Sequence, residues 1–159
     1  MSTLSTPKPY KPDHTDLAIM RFLQDDGRKP YSEIAEALGV AASTVQMRAN
    51  RLIEAGLLII RGVVDPVAMG LMVIATIAIK ADGARLREIA AELSQMSEVS
   101  YVVICTGTYD LLIEVGCHDN DHLLTFISEK LAQVQGVRES ETFVYLRIVK
   151  NTYQWGIPE

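Results

Sequence analysis

The stretch of sequence that decides the fold is residues 31–56, which reads YSEIAEALGVAASTVQMRANRLIEAG. It places the small residue Ala35 before Gly39 and the apolar residue Val45 after that glycine. A small side chain lets two helices cross closely, glycine adopts the backbone of a tight turn, and an apolar residue anchors the second helix. This spacing predicts a helix-turn-helix, a unit whose second helix enters the major groove of DNA.

The helix after the turn is predicted to run from about Ala42 to Ala55 and to end before Gly56. Its inward face consists of the apolar residues that recur at helical spacing, which are Val45, Ala49, Leu52 and Ile53. The opposite face is left for solvent or DNA, and the residues predicted to contact DNA are Ser43, Thr44, Gln46, Met47, Arg48, Asn50 and Arg51.

Side-chain chemistry divides these residues between bases and backbone. Amides such as those of Gln46 and Asn50 pair with adenine, and threonine and methionine side chains touch thymine methyl groups. Arg48 and Arg51 are predicted to bind phosphates. On an ordinary helix the same residues would form a solvated polar face, and it is the preceding turn that favours DNA binding.

Two further helices are predicted before this one, over residues 13–25 and 32–38. The carboxylates of Asp13 and Asp16 suit the N-cap and the first turn of the first helix. Residues 1–12 contain three prolines and are predicted to form a flexible arm.

After the helix-turn-helix domain, residues 13–56, the apolar pattern changes from helical to strand-like. Residues 57–64 are apolar and β-branched, and a break that contains proline follows them. Residues 57–70 are therefore predicted to form a hinge strand and linker. A second domain is predicted over residues 71–150, with residues 151–159 as a C-terminal tail.

The second domain is predicted to be a ferredoxin-like β-α-β-β-α-β sheet with both helices on one face, which makes the chain α+β with a winged-type helix-turn-helix in front. The predicted strands are Leu71–Ile79, Val99–Thr106, Tyr109–Cys117 and Val137–Val149, and the predicted helices are Arg85–Met96 and Asp121–Val134. The strands are largely apolar on both faces, although the helices cover only one. The other face is predicted to pack on a second copy of the chain, giving a homodimer.

Charge is distributed unevenly along the chain. Net charge is −5, but residues 1–61 hold eight Lys and Arg against seven Asp and Glu, whereas residues 62–159 hold seven against thirteen. This difference in charge between the two parts of the chain indicates two domains with different partners.

The longest apolar run, Leu71–Ile79, is too short to span a membrane, and no signal peptide follows Met1. The two cysteines are predicted to be free thiols in a reducing cytoplasm, with a disulfide between them left open.

No pattern of catalytic residues is present, so no enzymatic activity is predicted. Cys117, His118 and His122 are candidate metal ligands. His118 precedes the helix on which His122 lies, so the two rings need not share a face, and three ligands without a fourth are a weak pattern for zinc. Neither a metal nor a cofactor is predicted, and the two histidines are interpreted as a solvated helix start.

Many short motifs occur together over residues 13–150. In the helical domain they are Asp13, Asp16, Asp26-Gly27-Arg28, Glu33-Ile34-Ala35, Leu38-Gly39, Ser43-Thr44-Val45, Arg48, Arg51-Leu52 and Glu54-Ala55-Gly56. In the second domain they are Val64-Asp65-Pro66, Gly70, Thr106-Gly107-Thr108-Tyr109-Asp110, Gly136-Val137 and Thr142. This combination resembles the leucine-responsive/asparagine-responsive (Lrp/AsnC, or feast/famine) family of transcriptional regulators.

The resemblance implies that the second domain is the family's regulator-of-amino-acid-metabolism domain, similar to amino-acid-binding ACT domains. It also implies dimers that assemble into tetramers or octamers on double-stranded DNA. An amino acid or related small metabolite is the implied effector, bound in the cleft between dimers. The residues implied at that cleft are Gly107, Thr108, Tyr109 and Asp110 in one turn, and Ser140 and Thr142 on the last strand.

Residue chemistry offers two interpretations of that turn. Gly107 permits close backbone approach, and Asp110 can receive an ammonium group. Alternatively the segment is an ordinary hairpin turn in which Asp110 bonds its own backbone. The sequence thus predicts a sequence-specific DNA-binding regulator with a metabolite effector. Two alternatives stay open, namely a DNA-organising protein that needs no ligand and a small-molecule-binding interaction module whose N-terminal helices serve assembly.

The sequence departs from the family at helix caps. Pro30 and Ala41 stand where the family often has a capping serine or threonine. A capping box between Ser43 and Gln46 would shift the start of the recognition helix. Ala49 replaces a bulkier aliphatic residue, which predicts looser packing beneath that helix.

Overall fold

The structure is a computed structural model that describes residues 10–150 together with Gly156 and Ile157. The chain divides into two compact units between Val63 and Val64, inside the predicted linker. The predicted arm and tail lie outside the described residues, apart from residues 10–12 and the pair at 156–157. None of the helices in the described part of the chain is long and apolar enough to cross a membrane.

Three helices form the first unit, α1 (His14–Asp25), α2 (Tyr31–Leu38) and α3 (Ala42–Glu54). Their buried core consists of Ile19, Leu23, Ile34, Ala35, Val45, Ala49, Leu52 and Leu58. Gly39 ends α2 in the left-handed conformation with a φ of 66°, which confirms the predicted turn.

Helix α1 begins at the N-cap that the sequence predicts. The side chain of Asp13 accepts the backbone N–H of Asp16, and the Asp16 carboxylate accepts the backbone N–H of Asp13. Each residue thus satisfies a backbone donor that the first helical turn leaves without a partner.

Helix α3 begins at Ala42 as predicted and ends one residue before the predicted end, but two other expectations for it are wrong. The proposed capping box of Ser43 and Gln46 is wrong, because the N-cap is Ala41, which makes no side-chain capping bond. The carbonyl of Ala41 instead accepts the N–H groups of Thr44 and Val45. Ile53, predicted to face inward, is 41% exposed. It lies about 80° around the helix from Val45, at the margin of the buried stripe.

The second unit is a four-stranded antiparallel sheet in the order β2-β3-β1-β4. Its strands are β1 (Val73–Ala81), β2 (Val99–Ile104), β3 (Leu111–Cys117) and β4 (Val137–Val144). Helix α4 (Leu86–Leu93) follows a 3-10 turn, and α5 (Asn120–Thr125) continues as a π-helical turn over Phe126–Lys130 and a 3-10 turn over Leu131–Gln133. This is the predicted ferredoxin-like order.

The two faces of the sheet have different surroundings. On one face, Ile77, Ile79 and Ile113 are buried against Ile89 of α4 and Phe126 of the π-helical turn. On the other face, which we call the open face, no helix of this unit covers the side chains. Its main apolar members are Ile74, Ala78, Leu112, Val103, Tyr101 and Phe143, and the last two are 58% and 48% exposed.

The predicted strand over residues 57–64 is wrong for a single chain, because no strand forms there. A strand needs a neighbour for its backbone hydrogen bonds, and residues 57–64 pair with no other described strand. Val63 and Val64 are more than half exposed. The last strand also ends at Val144 rather than Val149, since its pairing with β1 ends near Ala75.

Candidate nucleic-acid interface and effector site

Helix α3 gathers most of the predicted DNA contacts on one open surface. We call it the reading surface, and it is lined by Ser43, Gln46, Met47, Asn50, Arg51 and Glu54. Residues three and four apart on a helix lie on the same face, which is why local spacing brings these side chains together. Met47 is 63% exposed at the middle of this polar surface. An exposed thioether suits contact with a thymine methyl group.

Two predicted DNA contacts, Thr44 and Arg48, are not part of the reading surface. The guanidinium of Arg48 turns to the start of α1, where Nη1 donates to Asp13 Oδ2 at 2.7 Å and to Asp16 Oδ1 at 2.9 Å. Its Nε is buried and has no hydrogen-bond partner among the described residues. The structure therefore gives Arg48 an intramolecular role, and its phosphate contact stays a prediction.

Asp16 is the centre of this network and is fully buried. Besides Arg48, its carboxylate accepts the Tyr10 hydroxyl at 2.5 Å and the Asp13 N–H at 3.0 Å. The backbone N–H of Asp16 and the guanidinium of Arg48 hold the pKa of Asp13 below its usual range, and the two carboxylates raise the pKa of Arg48. Sequence analysis predicted both aspartates as caps but missed their link to α3.

The turn predicted to bind an effector joins β2 to β3. Gly107 has a φ of 131°, a conformation that favours glycine, and Thr108 is exposed beside it. The Asp110 carboxylate accepts the backbone N–H of Ala81 at 2.9 Å, and its own N–H donates to Ile79. Asp110 thus holds the turn against the end of β1, and its carboxylate bonds the backbone of that strand rather than its own backbone.

The other predicted effector residues lie on different faces of the sheet. Ser140 and Thr142 pair with Ile79 and Ile77, so they share the face that the helices cover. The hydroxyl of Tyr109 donates to Glu141. Glu141 lies between Ser140 and Thr142 on β4, so its side chain points to the open face. Glu141 raises the pKa of Tyr109, so this hydroxyl stays protonated. Within one copy of the chain, the six predicted effector residues therefore do not all lie on one face.

Both units match known protein families. Residues 13–53 match the AsnC-type helix-turn-helix domain, and residues 73–155 match the Lrp/AsnC ligand binding domain. The chain belongs to the Lrp/AsnC family. Its members are transcriptional regulators and not enzymes, so the helical unit is a DNA-binding domain and the α/β unit is a ligand-binding domain.

The similarity to known proteins extends over almost the whole chain. An uncharacterized HTH-type transcriptional regulator of Pyrococcus abyssi is 40% identical over 147 residues, covering 91% of this chain and 89% of that one. The structure of AsnC from E. coli has a TM-score of 0.83 at 26% identity, covering 94% of this chain and 100% of that one. A Neisseria meningitidis regulator in complex with L-methionine has a TM-score of 0.84 at 26% identity, covering 92% and 97%.

A second polar cluster of this Lrp/AsnC protein lies at the end of the sheet away from the turn at Gly107. The buried Glu98 carboxylate accepts from Lys130 Nζ at 2.6 Å and bonds His122 Nε2 at 3.1 Å. His122 and His118 stack with ring centroids 5.3 Å apart, so the two rings do meet although His118 precedes the helix. The backbone N–H of His118 donates to His122 Nδ1, which draws the rings together.

Among the described residues, no three His, Cys, Asp or Glu side chains are placed to hold a metal ion. The His118 ring bonds to the carbonyl of Gly70. Cys105 and Cys117 are free thiols, and burial raises the pKa of Cys117.

Proposed function

We propose that this Lrp/AsnC protein reads operator DNA with α3 and that an amino acid or related metabolite regulates this binding. The observation that carries the proposal is the reading surface, where Gln46, Met47 and Asn50 stand exposed on one face of the helix after a glycine turn. Amide groups that pair with adenine beside a thioether that contacts thymine methyl groups favour A·T base pairs.

Assembly supports this function in our proposal. The reading surface carries Arg51 as its basic residue and Glu54 as its acidic residue, so electrostatic affinity for DNA is modest for one unit. Two or more linked units gain affinity through effective concentration. The open face of the sheet, with Leu112 and Phe143, is the surface through which we propose that two copies pair. Tetramers or octamers are the larger assemblies we propose, acting on chromosomal DNA in the cytoplasm.

The effector part of the proposal rests on the match to a ligand-binding domain and on the split arrangement of its candidates. Gly107, Thr108, Tyr109 and Asp110 lie in one turn, while Ser140 and Thr142 lie across the sheet on β4. A cleft between dimers would supply the missing wall from another copy. Bound L-methionine in the Neisseria meningitidis relative favours an amino acid here as well.

A gel-shift titration tests both parts. DNA upstream of the protein's own gene is titrated at fixed salt, with and without a panel of amino acids. We expect a shift whose midpoint or band pattern changes with one amino acid. A specific shift that no amino acid alters would remove the sensing part, and a genome-wide DNA selection that recovers nothing would remove the DNA-reading part.

One observation favours a second candidate, a DNA-organising protein without a ligand. The Asp110 carboxylate and the Tyr109 hydroxyl already have intramolecular partners, Ala81 and Glu141. A ligand that used them would have to replace those bonds. Shape-dependent wrapping of DNA that no metabolite changes is the result that would favour this candidate.

A further inference from the structure

The two arginines of α3 have different surroundings. Arg48 is held by two carboxylates at the start of α1 and is mostly buried. Arg51 is exposed on the reading surface, and its guanidinium lies 4.2 Å from the centroid of the Tyr10 ring. Among the described residues, no carboxylate lies within ion-pair distance of Arg51.

The position of the Tyr10 ring is fixed by contacts with the rest of the helical unit. Its hydroxyl donates to Asp16 Oδ2 at 2.5 Å, and its ring packs against the helical core. The Asp16 hydrogen bond raises the pKa of Tyr10, so the hydroxyl remains a donor at neutral pH. Asp16 is fixed in turn by Arg48, so one chain of contacts runs from the α1–α3 crossing to the reading surface.

We propose that Tyr10 is a positioning residue for DNA binding, which holds the Arg51 guanidinium at the reading surface for a backbone phosphate. The inference rests on the proposed function, because it requires DNA on α3. An aromatic ring covers one face of a guanidinium and leaves its in-plane N–H donors for a phosphate. A side chain that is already ordered loses less entropy when it binds.

This arrangement gives the two arginines different tasks. Arg48 locks α1 to α3, and Arg51, stacked on Tyr10, binds the phosphate. Tyr10, four residues before the start of α1, thereby becomes part of the DNA-binding machinery, although it lies in the predicted flexible arm. Salt dependence separates the tasks, because a protein that neutralises one phosphate fewer has a log–log slope of affinity against salt that is shallower by about 0.9.

The experiment measures binding of the full-length protein to a mixed-sequence DNA duplex by fluorescence anisotropy, from about 50 to 200 mM salt. The variants are Tyr10→Leu, Arg51→Gln and the double variant. Tyr31→Leu is the matched control, because Tyr31 also packs on the helical core but lies at the start of α2. Urea unfolding of each variant reports stability separately.

We expect Tyr10→Leu to weaken binding roughly two- to fivefold and to lower the salt slope as Arg51→Gln does. The double variant should bind no more weakly than Arg51→Gln alone, because Tyr10 acts through Arg51. Tyr31→Leu should leave the salt slope unchanged. Additive losses in the double variant, or an unchanged slope in Tyr10→Leu, would overturn the proposal.

If Tyr10→Leu does not fold, a conservative variant of Arg51 tests whether Tyr10 positions its guanidinium. Arg51→Lys keeps the charge but removes the planar group that stacks on Tyr10. We expect it to bind more weakly than the wild type, and unchanged affinity would contradict the positioning role. Wild-type protein that binds no duplex at any salt would instead remove the proposed function itself.

Discussion

Among the described residues, each unit of the chain buries one carboxylate, and the two carboxylates are held in different ways. Asp16 of the helical unit is bonded by Arg48, which lies on α3, and by Tyr10, whose ring contacts Arg51 of α3. Glu98 of the α/β unit is bonded by Lys130, His122 and Ser97, and this cluster holds α5 against the end of the sheet. The first network ties stability to the reading surface, whereas the second serves the fold of its own unit.

The difference shows which properties of the protein are separable. A buried charge needs partners in any protein, because an unpaired one costs several kcal/mol. Where those partners sit on a binding element, a change at the carboxylate alters both stability and binding. Where they sit away from it, stability alone changes. Assembly, the helical network, the α/β network and the charge of the reading surface can therefore be tested one at a time.

The largest expected effect comes from the open face of the sheet. Leu112→Lys places a charge at its centre, beside Ala78 and Val103. We expect the proposed dimer to dissociate and DNA affinity to fall about a hundredfold, since linked reading surfaces gain at least that factor. Sedimentation and DNA titration measure the two effects. The control is Leu124→Lys, because Leu124 is 64% exposed on α5. A Leu112→Lys protein that remains a dimer would show that the open face is not the interface.

Asp16→Ala should have the next largest effect. It leaves the guanidinium of Arg48 without its buried partner and removes the acceptor of the Tyr10 hydroxyl. We expect the free energy of unfolding of the helical unit to fall by about 3 kcal/mol. Urea unfolding checks this value, with Asp25→Ala, an exposed residue at the end of α1, as the control. Equal losses in the two variants would mean that the network adds nothing to stability.

Glu98→Gln should destabilise the α/β unit and change its response to acid. Burial alone would raise the pKa of Glu98, but hydrogen bonds from Lys130, its own backbone, His122 and Ser97 lower it from 4.5 to about 2. A carboxyl group whose pKa is lower in the folded protein stabilises it above the unfolded value, and this contribution is lost as pH falls from about 4.5 towards 2.

We therefore expect Glu98→Gln to cost about 2 to 3 kcal/mol at pH 7. Its unfolding free energy should also decline less than that of the wild type as the pH is lowered below about 4.5. Urea unfolding at a series of pH values measures both, and DNA affinity at pH 7 should not change in protein that is folded. A parallel pH dependence in variant and wild type would show that Glu98 keeps an ordinary pKa.

Sequence patterns predicted the parts of the fold that depend on local spacing. The cap at Asp13, the turn at Gly39 and the order of strands and helices along the chain follow from residue type and periodicity. The strand predicted over residues 57–64 failed because a strand also needs a neighbour, which one copy of the chain does not supply. The prediction that Ile53 faces inward was wrong because a residue at the margin of an apolar stripe can face either way.

The candidate sites were likewise predictable where they depend on local spacing and were missed where they depend on contacts between distant residues. Five of the predicted DNA contacts share the reading surface, since one helix presents them. The task of Arg48 was missed because its partners, Asp13 and Asp16, lie more than thirty positions away. Glu98 and His122 are 24 positions apart, so no local pattern connects them. Tertiary contacts of this kind leave no periodic signal in a single sequence.

The smallest expected effect concerns the charge of the reading surface itself. Glu54 is the acidic residue among those that line it, and phosphates repel a carboxylate. We expect Glu54→Gln to strengthen binding to mixed-sequence DNA roughly two- to threefold at low salt, without a change in unfolding free energy. Glu92→Gln, an exposed change of the same charge on α4, is the control and should leave affinity unaltered.

The direction of the Glu54→Gln effect also sharpens the contrast between the units. A gain on all duplexes, absent in Glu92→Gln, would locate the electrostatic part of DNA binding in the helical unit, whatever the acidic charge of the α/β unit. A loss confined to sites with one particular base pair would mean that Glu54 accepts a hydrogen bond from cytosine and is a specificity residue. An equal gain in both variants would mean that net charge, rather than the reading surface, sets the affinity.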